Sequence, residues 1–148
     1  MRHVSVPLFV VVFGISLASG QTLERINPAG LSKPTTYSHI VKAGKTLYIA
    51  GQVGAKPDGT IAGDTMAAQL EQVLANLQTA LKSQGADFSH VAKITIFVTS
   101  IAEFREPEAT KIRAKYFGTN HPASTLVQIS QLASPAYKVE IEAVAVLP

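Results

Sequence analysis

Two carboxylates stand two residues apart near the end of the chain, in Val139-Glu140-Ile141-Glu142-Ala143. In a strand that spacing puts both on one face. A carboxylate withdrawn from water can position and deprotonate a nucleophile, so Glu140 is a candidate general acid/base. The opposing reading is a solvated strand face balanced by Lys138. Composition favours the second reading, and spacing alone does not separate the two.

Other constellations carry less. His39, His90 and His121 show no helical i, i+4 spacing and no acidic cluster, so surface or loop-tip positions are expected and no metal site is assigned. Gly44-Lys45-Thr46 ends like a phosphate-binding loop, but His39 stands where that loop needs its first glycine, and a strand follows instead of a helix. A hairpin turn is the better reading. Lys111, Arg113 and Lys115 share a helical segment without interleaved aromatics, which reads as a solvated face and not as a nucleic-acid surface. The chain of 148 residues has no Cys, which excludes disulfides, thiolate chemistry and Fe–S clusters. A formal net charge of +3 is too small for a dedicated nucleic-acid binder.

These residues need elements to hold them. Leu23–Pro34, with Asn27-Pro28 and Pro34, reads as an extended lead-in. Tyr37–Lys42 and Thr46–Ala50 read as a hairpin turned at Ala43-Gly44, and Lys56-Pro57-Asp58-Gly59 as a turn. Thr65–Gln84 is the strongest helix, with Asp64 as its cap, Gly85 at its close, and Met66, Leu70, Val73, Leu74, Leu77 and Leu81 as its apolar stripe. Val91–Val98 reads as a strand with Ala92, Ile94, Ile96 and Val98 on one face. Phe104–Phe117 reads as a second helix, and Ser124–Ile129 and Val139–Val146 as the last strands. The order β-β-α-β-α-β-β describes one α+β domain, a two-layer sandwich of a mixed sheet with two helices on one face. Both faces of the last strand carry apolar residues, which points to a homo-oligomer that covers the second face.

The first residues read as an address. Arg2 and His3 precede a charge-free apolar run, Val4 to Ala18, and Ala18-Ser19-Gly20 supplies small residues before Gln21. This is the pattern of a secretory signal peptide over residues 1–20, leaving a domain over 21–148 and an extracytoplasmic (periplasmic or secreted) protein. Membrane attachment is expected only if that segment stays uncleaved.

Several segments together resemble the Rid (YjgF/RidA-type) family. They are Tyr37, Ile49-Ala50-Gly51-Gln52, Pro57-Asp58-Gly59, Lys115-Tyr116-Phe117-Gly118, Pro122-Ala123 and Val139-Glu140-Ile141-Glu142-Ala143. The resemblance runs from about Ile26 to Val146. It implies a chorismate-mutase-like fold, a homotrimer with ligand clefts between subunits, and hydrolysis of imines or enamines of 2-oxo acids without metal or organic cofactor. It matches Glu140 to a water-positioning glutamate, Tyr37 to a cleft tyrosine, and Gly51 to a glycine whose backbone meets the substrate.

The departures bear on activity. Ser124 stands where the family has a substrate-binding arginine directly after Pro-Ala. Ala50 replaces a serine, and Leu126 stands at the position of a cysteine. The family's helix asparagine falls at Thr110 counted back from Tyr116-Phe117, or at Glu108 counted forward from Phe104. A serine hydroxyl brings no charge, and losing a bidentate arginine weakens carboxylate binding by about tenfold to a hundredfold. Two readings stay open. One is a deaminase-like hydrolase with Glu140 activating water and Tyr37, Gly51, Ser124 and Thr125 shaping the pocket. The other is a trimer that binds a small ligand without turnover. A ribonuclease reading is disfavoured by the small charge and the lack of a basic–aromatic surface.

Overall fold

The computed structural model describes residues 22–148, so the expected signal segment lies outside the described residues. Six strands run in chain order as β1 (Leu23–Ile26), β2 (Ile40–Ala43), β3 (Thr46–Val53), β4 (Val91–Val98), β5 (Ala123–Gln128) and β6 (Val139–Val146). Three helices join them: α1 (Met66–Lys82), α2 (Ile101–Phe104) and α3 (Pro107–Phe117). The sheet order is β1-β2-β3-β6-β4-β5. Every pairing is antiparallel except β4 with β5, whose parallel connection carries α2 and α3 as a crossover. The α+β reading therefore holds, with one more strand and one more helix than expected.

The helix α1 forms for the reasons its sequence gives. Its stripe of Met66, Leu70, Val73, Leu74, Leu77 and Leu81 is buried against the sheet. The cap is Thr65 and not Asp64, because Thr65 is extended (φ −100°, ψ 151°) and its hydroxyl accepts from Ala68 N–H at 3.2 Å. Beyond the helix, Gly85 at φ +70° turns the chain, and Ala86 N–H donates to Leu81 O at 3.0 Å. Leu74 is fully buried, so Leu74→Ala is expected to lower unfolding stability by about 2–5 kcal/mol in denaturant titration.

Four expectations need correction. The lead-in contains an edge strand, β1, paired with β2 from Leu23↔Ala43 to Ile26↔Ile40. The strand expected from Tyr37 begins only at Ile40. The helix expected over Phe104–Phe117 is two helices broken at Arg105–Glu106. Pro107 excludes helical backbone at Glu106, which is extended (φ −58°, ψ 152°), and then opens α3 with its own preset φ. In β4 the register shifts between Val91 and Lys93, so Ala92 is exposed and does not share the face of Ile94, Ile96 and Val98.

The central strand β6 sets the two layers. Val139, Ile141, Ala143 and Ala145 are buried on the helix side, while Glu140, Glu142, Val144 and Val146 alternate onto the open face. That face also exposes Tyr48 (53%), Val146 (46%) and Val127 (38%), the last set apart from the other two by the polar row of Glu142, Thr95 and Thr125.

Candidate active site

The strand β3 carries an extra residue opposite β6. Ile49 pairs with Ala143 and Gln52 with Ile141, so Ala50 and Gly51 together face Glu142. The bulge is held from below by a buried polar network. Gln52 Nε2 donates to Ala50 O at 2.8 Å and to His39 Nδ1 at 3.2 Å. His39 Nε2 lies 2.9 Å from Ser32 O, an atom that only accepts, so the proton sits on Nε2 and Nδ1 is the acceptor. His39 O in turn accepts from Ala50 N–H at 2.9 Å. His39 is 3% exposed, which corrects its reading as a surface residue: both ring nitrogens find partners, so burial costs no hydrogen bond. Its ring also meets Tyr37 edge-on, 5.5 Å between centroids.

This scaffold aims Gly51 at Glu140. A Cβ at position 51 would overlap the Glu140 carboxylate, so only glycine lets the two approach. Tyr37, Gly51, Val53, Ala133, Tyr137 and Glu140 line one cleft of about 410 Å³. Three of the expected site residues, Tyr37, Gly51 and Glu140, therefore come together. Tyr137 was not among them. Its signal is its place two residues before the Val139 strand. Glu140 is half-buried, and among the described residues no ion pair engages it. Lys138, its expected counter-charge, instead reaches Glu103 at 3.4 Å, its backbone being drawn toward α1 by Gln69 Oε1. Burial pushes the Glu140 carboxyl above its usual range, and neighbouring Glu142 adds to the shift.

Ser124 and Thr125 do not join this cleft within one chain. In the parallel pairing Ser124 lies beside Ile94 and Thr125 beside Thr95. Ile94 is buried on the helix side, so Ser124 shares its face and Thr125 takes the open face. Ser124 lines a separate cavity of about 300 Å³ with Thr110, Arg113, Phe117 and His121. Glu108 instead lines a hollow with Asp64, Thr65 and Glu103. Of the two counts for the family's asparagine, only Thr110 shares a cavity with Ser124.

The remaining candidates have structural places. Gly44 adopts φ +58° in the β2–β3 hairpin, as a turn and not a phosphate loop requires. Lys115 pairs with Glu71 at 2.7 Å, and Tyr116 donates to the same carboxylate oxygen at 2.8 Å. Burial and then Glu71 push the Tyr116 hydroxyl up to about 12. Among the described residues no three His, Asp or Glu cluster closely enough to hold a metal ion.

A family model described as Endoribonuclease L-PSP matches residues 29–147, which spans both cavities and every strand but β1. The chain belongs to this family, the Rid family. Among its members, the human 2-iminobutanoate/2-iminopropanoate deaminase is 35% identical over 111 residues, covering 74% of this chain and 79% of that protein. Reactive Intermediate Deaminase A, chloroplastic, of Arabidopsis thaliana is 38% identical over 112 residues. That match covers 75% of this chain but only 58% of the Arabidopsis protein. Among solved structures, a putative endoribonuclease L-PSP from Entamoeba histolytica superposes with a TM-score of 0.78 at 27% identity, covering 85% of this chain and all of that one. The Rid protein YyfA from Yersinia pestis gives 0.75 at 29% identity, with 85% and 100% covered. The Rid assignment made from Tyr37, the Gly51-Gln52 pair and the Glu140 strand is thus correct.

Proposed function

We propose that this chain is a Rid-type deaminase that hydrolyses the C=N bond of small imines derived from 2-oxo acids. The observation that carries the reading is Glu140: a half-buried carboxylate without an ion-pair partner among the described residues, pressed against a glycine in a cleft. A raised pKa makes it a stronger base than an exposed carboxylate. Water attacks the carbon of the protonated imine as Glu140 takes its proton, giving a neutral carbinolamine. Glu140 returns that proton to nitrogen, the C–N bond breaks as ammonia leaves, and the hydroxyl passes its proton to the restored Glu140 carboxylate as the ketone forms. The Gly51 backbone and the hydroxyls of Tyr37 and Tyr137 supply neutral contacts around the reacting centre.

The relatives named as deaminases support the same chemistry. A homotrimer is part of the proposal, because the apolar side chains of Tyr48, Val127 and Val146 exposed on the open face need cover. So is export after cleavage near residue 20, on the pattern of residues 1–20. A non-catalytic ligand-binding trimer is the second reading, and one observation favours it: among the described residues no Lys or Arg lines the Glu140 cleft.

The deciding assay is ammonia release from freshly generated 2-iminobutanoate. Turnover above the spontaneous rate is expected. Tight binding of the product with no acceleration would transfer the assignment to the ligand-binding reading. Sedimentation is expected to give three times the chain mass.

A further inference from the structure

The resemblance places the family's arginine position at Ser124, and a guanidinium of another residue stands in the same cavity. Thr110 and Arg113 lie three residues apart on α3, so they share a face, and both line the cavity that Ser124 lines from β5. Arg113 Nη1 donates to Phe104 O at 2.6 Å and Nη2 to Thr110 Oγ1 at 3.1 Å. Its Cζ sits 4.1 Å from the centroid of the Phe104 ring. These contacts fix the plane of the guanidinium and leave its other N–H groups uncommitted. None of the ion pairs among the described residues uses Arg113. A half-buried cation without a carboxylate partner is held ready for an anion from outside. Burial also draws its pKa below the usual arginine value, the direction a bound anion would reverse.

We propose that Arg113 is the anion anchor of this chain, binding the carboxylate of a small 2-oxo or 2-imino acid in the cavity between α3 and β5. Thr110 and Ser124 offer hydroxyls to the same carboxylate, and Phe117 gives the short carbon chain an apolar wall. The inference rests on the deaminase reading and adds where its substrate's charge is held. The cavity's positive charge comes from the helix that faces β5, and Ser124 contributes a neutral hydroxyl from the strand. Glu140 lies on the opposite face of the sheet, so an anchored substrate is served by Glu140 of a second copy of the chain.

The test is calorimetric binding of 2-oxobutanoate to the full chain, alongside the ammonia assay. Arg113→Met is expected to weaken binding by about 10–100-fold. Arg113→Lys should lose less, because it keeps the charge but not the fork. Arg113→Met combined with Ser124→Arg should recover binding. Arg113 also braces Phe104, so each variant is checked by thermal melting. The double variant carries the same lost brace, and its recovery therefore reports charge and not folding. Equal binding by wild type and a folded Arg113→Met would overturn the anchor, as would absence of 2-oxobutanoate binding to the wild type. Ammonia release that survives in Arg113→Met leaves the Glu140 reading intact while removing the anchor. Arg113-dependent binding without any ammonia release does the reverse.

Discussion

Glu140→Gln is expected to cut ammonia release by about 10²–10⁴-fold, the range for removing a positioned general base. The same substitution should raise the thermal midpoint at neutral pH. Both effects come from one cause. Burial and Glu142 hold the Glu140 carboxyl above its ordinary value, so the folded protein binds this proton more tightly than the unfolded chain does. Stability from this group is full below the ordinary carboxylate range and is lost as pH rises through the raised value. At neutral pH the wild type therefore carries an ionised, poorly solvated carboxylate that the amide variant lacks. The gap in melting temperature between the two should be widest near neutrality and should close as the pH falls below the ordinary range. The pH profile of kcat/KM in the wild type should rise along the same titration, since only the ionised carboxylate accepts a proton. A variant that lost activity and melted lower at every pH would assign Glu140 to the fold instead.

How far the sequence could show this site depends on which physical signal each part uses. The β6 strand was legible because burial alternates with chain position, so Glu140 and Glu142 could be placed on the face away from Ile141 and Ala143 without coordinates. The α1 stripe was legible for the same reason, at helical period. The break before Pro107 has a local signal, since the restriction Pro places on its predecessor acts within two residues. The β1 strand carried no such signal. Its residues Leu23, Glu24 and Arg25 are exposed, and only Ile26 packs against the core, so backbone pairing to β2 does most of the holding. His39 looked like a surface residue because its burial depends on Ser32 and Gln52, which only the folded chain brings to its two ring nitrogens. Arg113 and Ser124 are eleven residues apart in the chain. Their shared cavity appears only when β5 pairs in parallel with β4 and α3 crosses above it. Periodicity reports which face a residue takes, and residue type reports what it can do. Neither reports which residues meet.

Gly51→Ala tests the closest of those meetings. The backbone at Gly51 is not in the left-handed region, so alanine is compatible with its conformation. The nearest obstacle is Glu140, whose carboxylate oxygen, Cδ and Cγ occupy the space of the new methyl group. Those atoms belong to the outer part of a flexible side chain, which can swing away into the cleft without disturbing β3 or β6. Folding should therefore change little, with a melting temperature within a few degrees of wild type, corresponding to about 1 kcal/mol. Activity should not survive the same movement. A displacement of about 1 Å at a catalytic group costs on the order of 10²-fold. The double variant Gly51→Ala/Glu140→Gln should be no slower than Glu140→Gln by itself, because the alanine acts through the carboxylate it displaces. If Gly51→Ala kept full ammonia release, Glu140 would not need its observed position, and the water-activating role would have to pass to another group in the cleft.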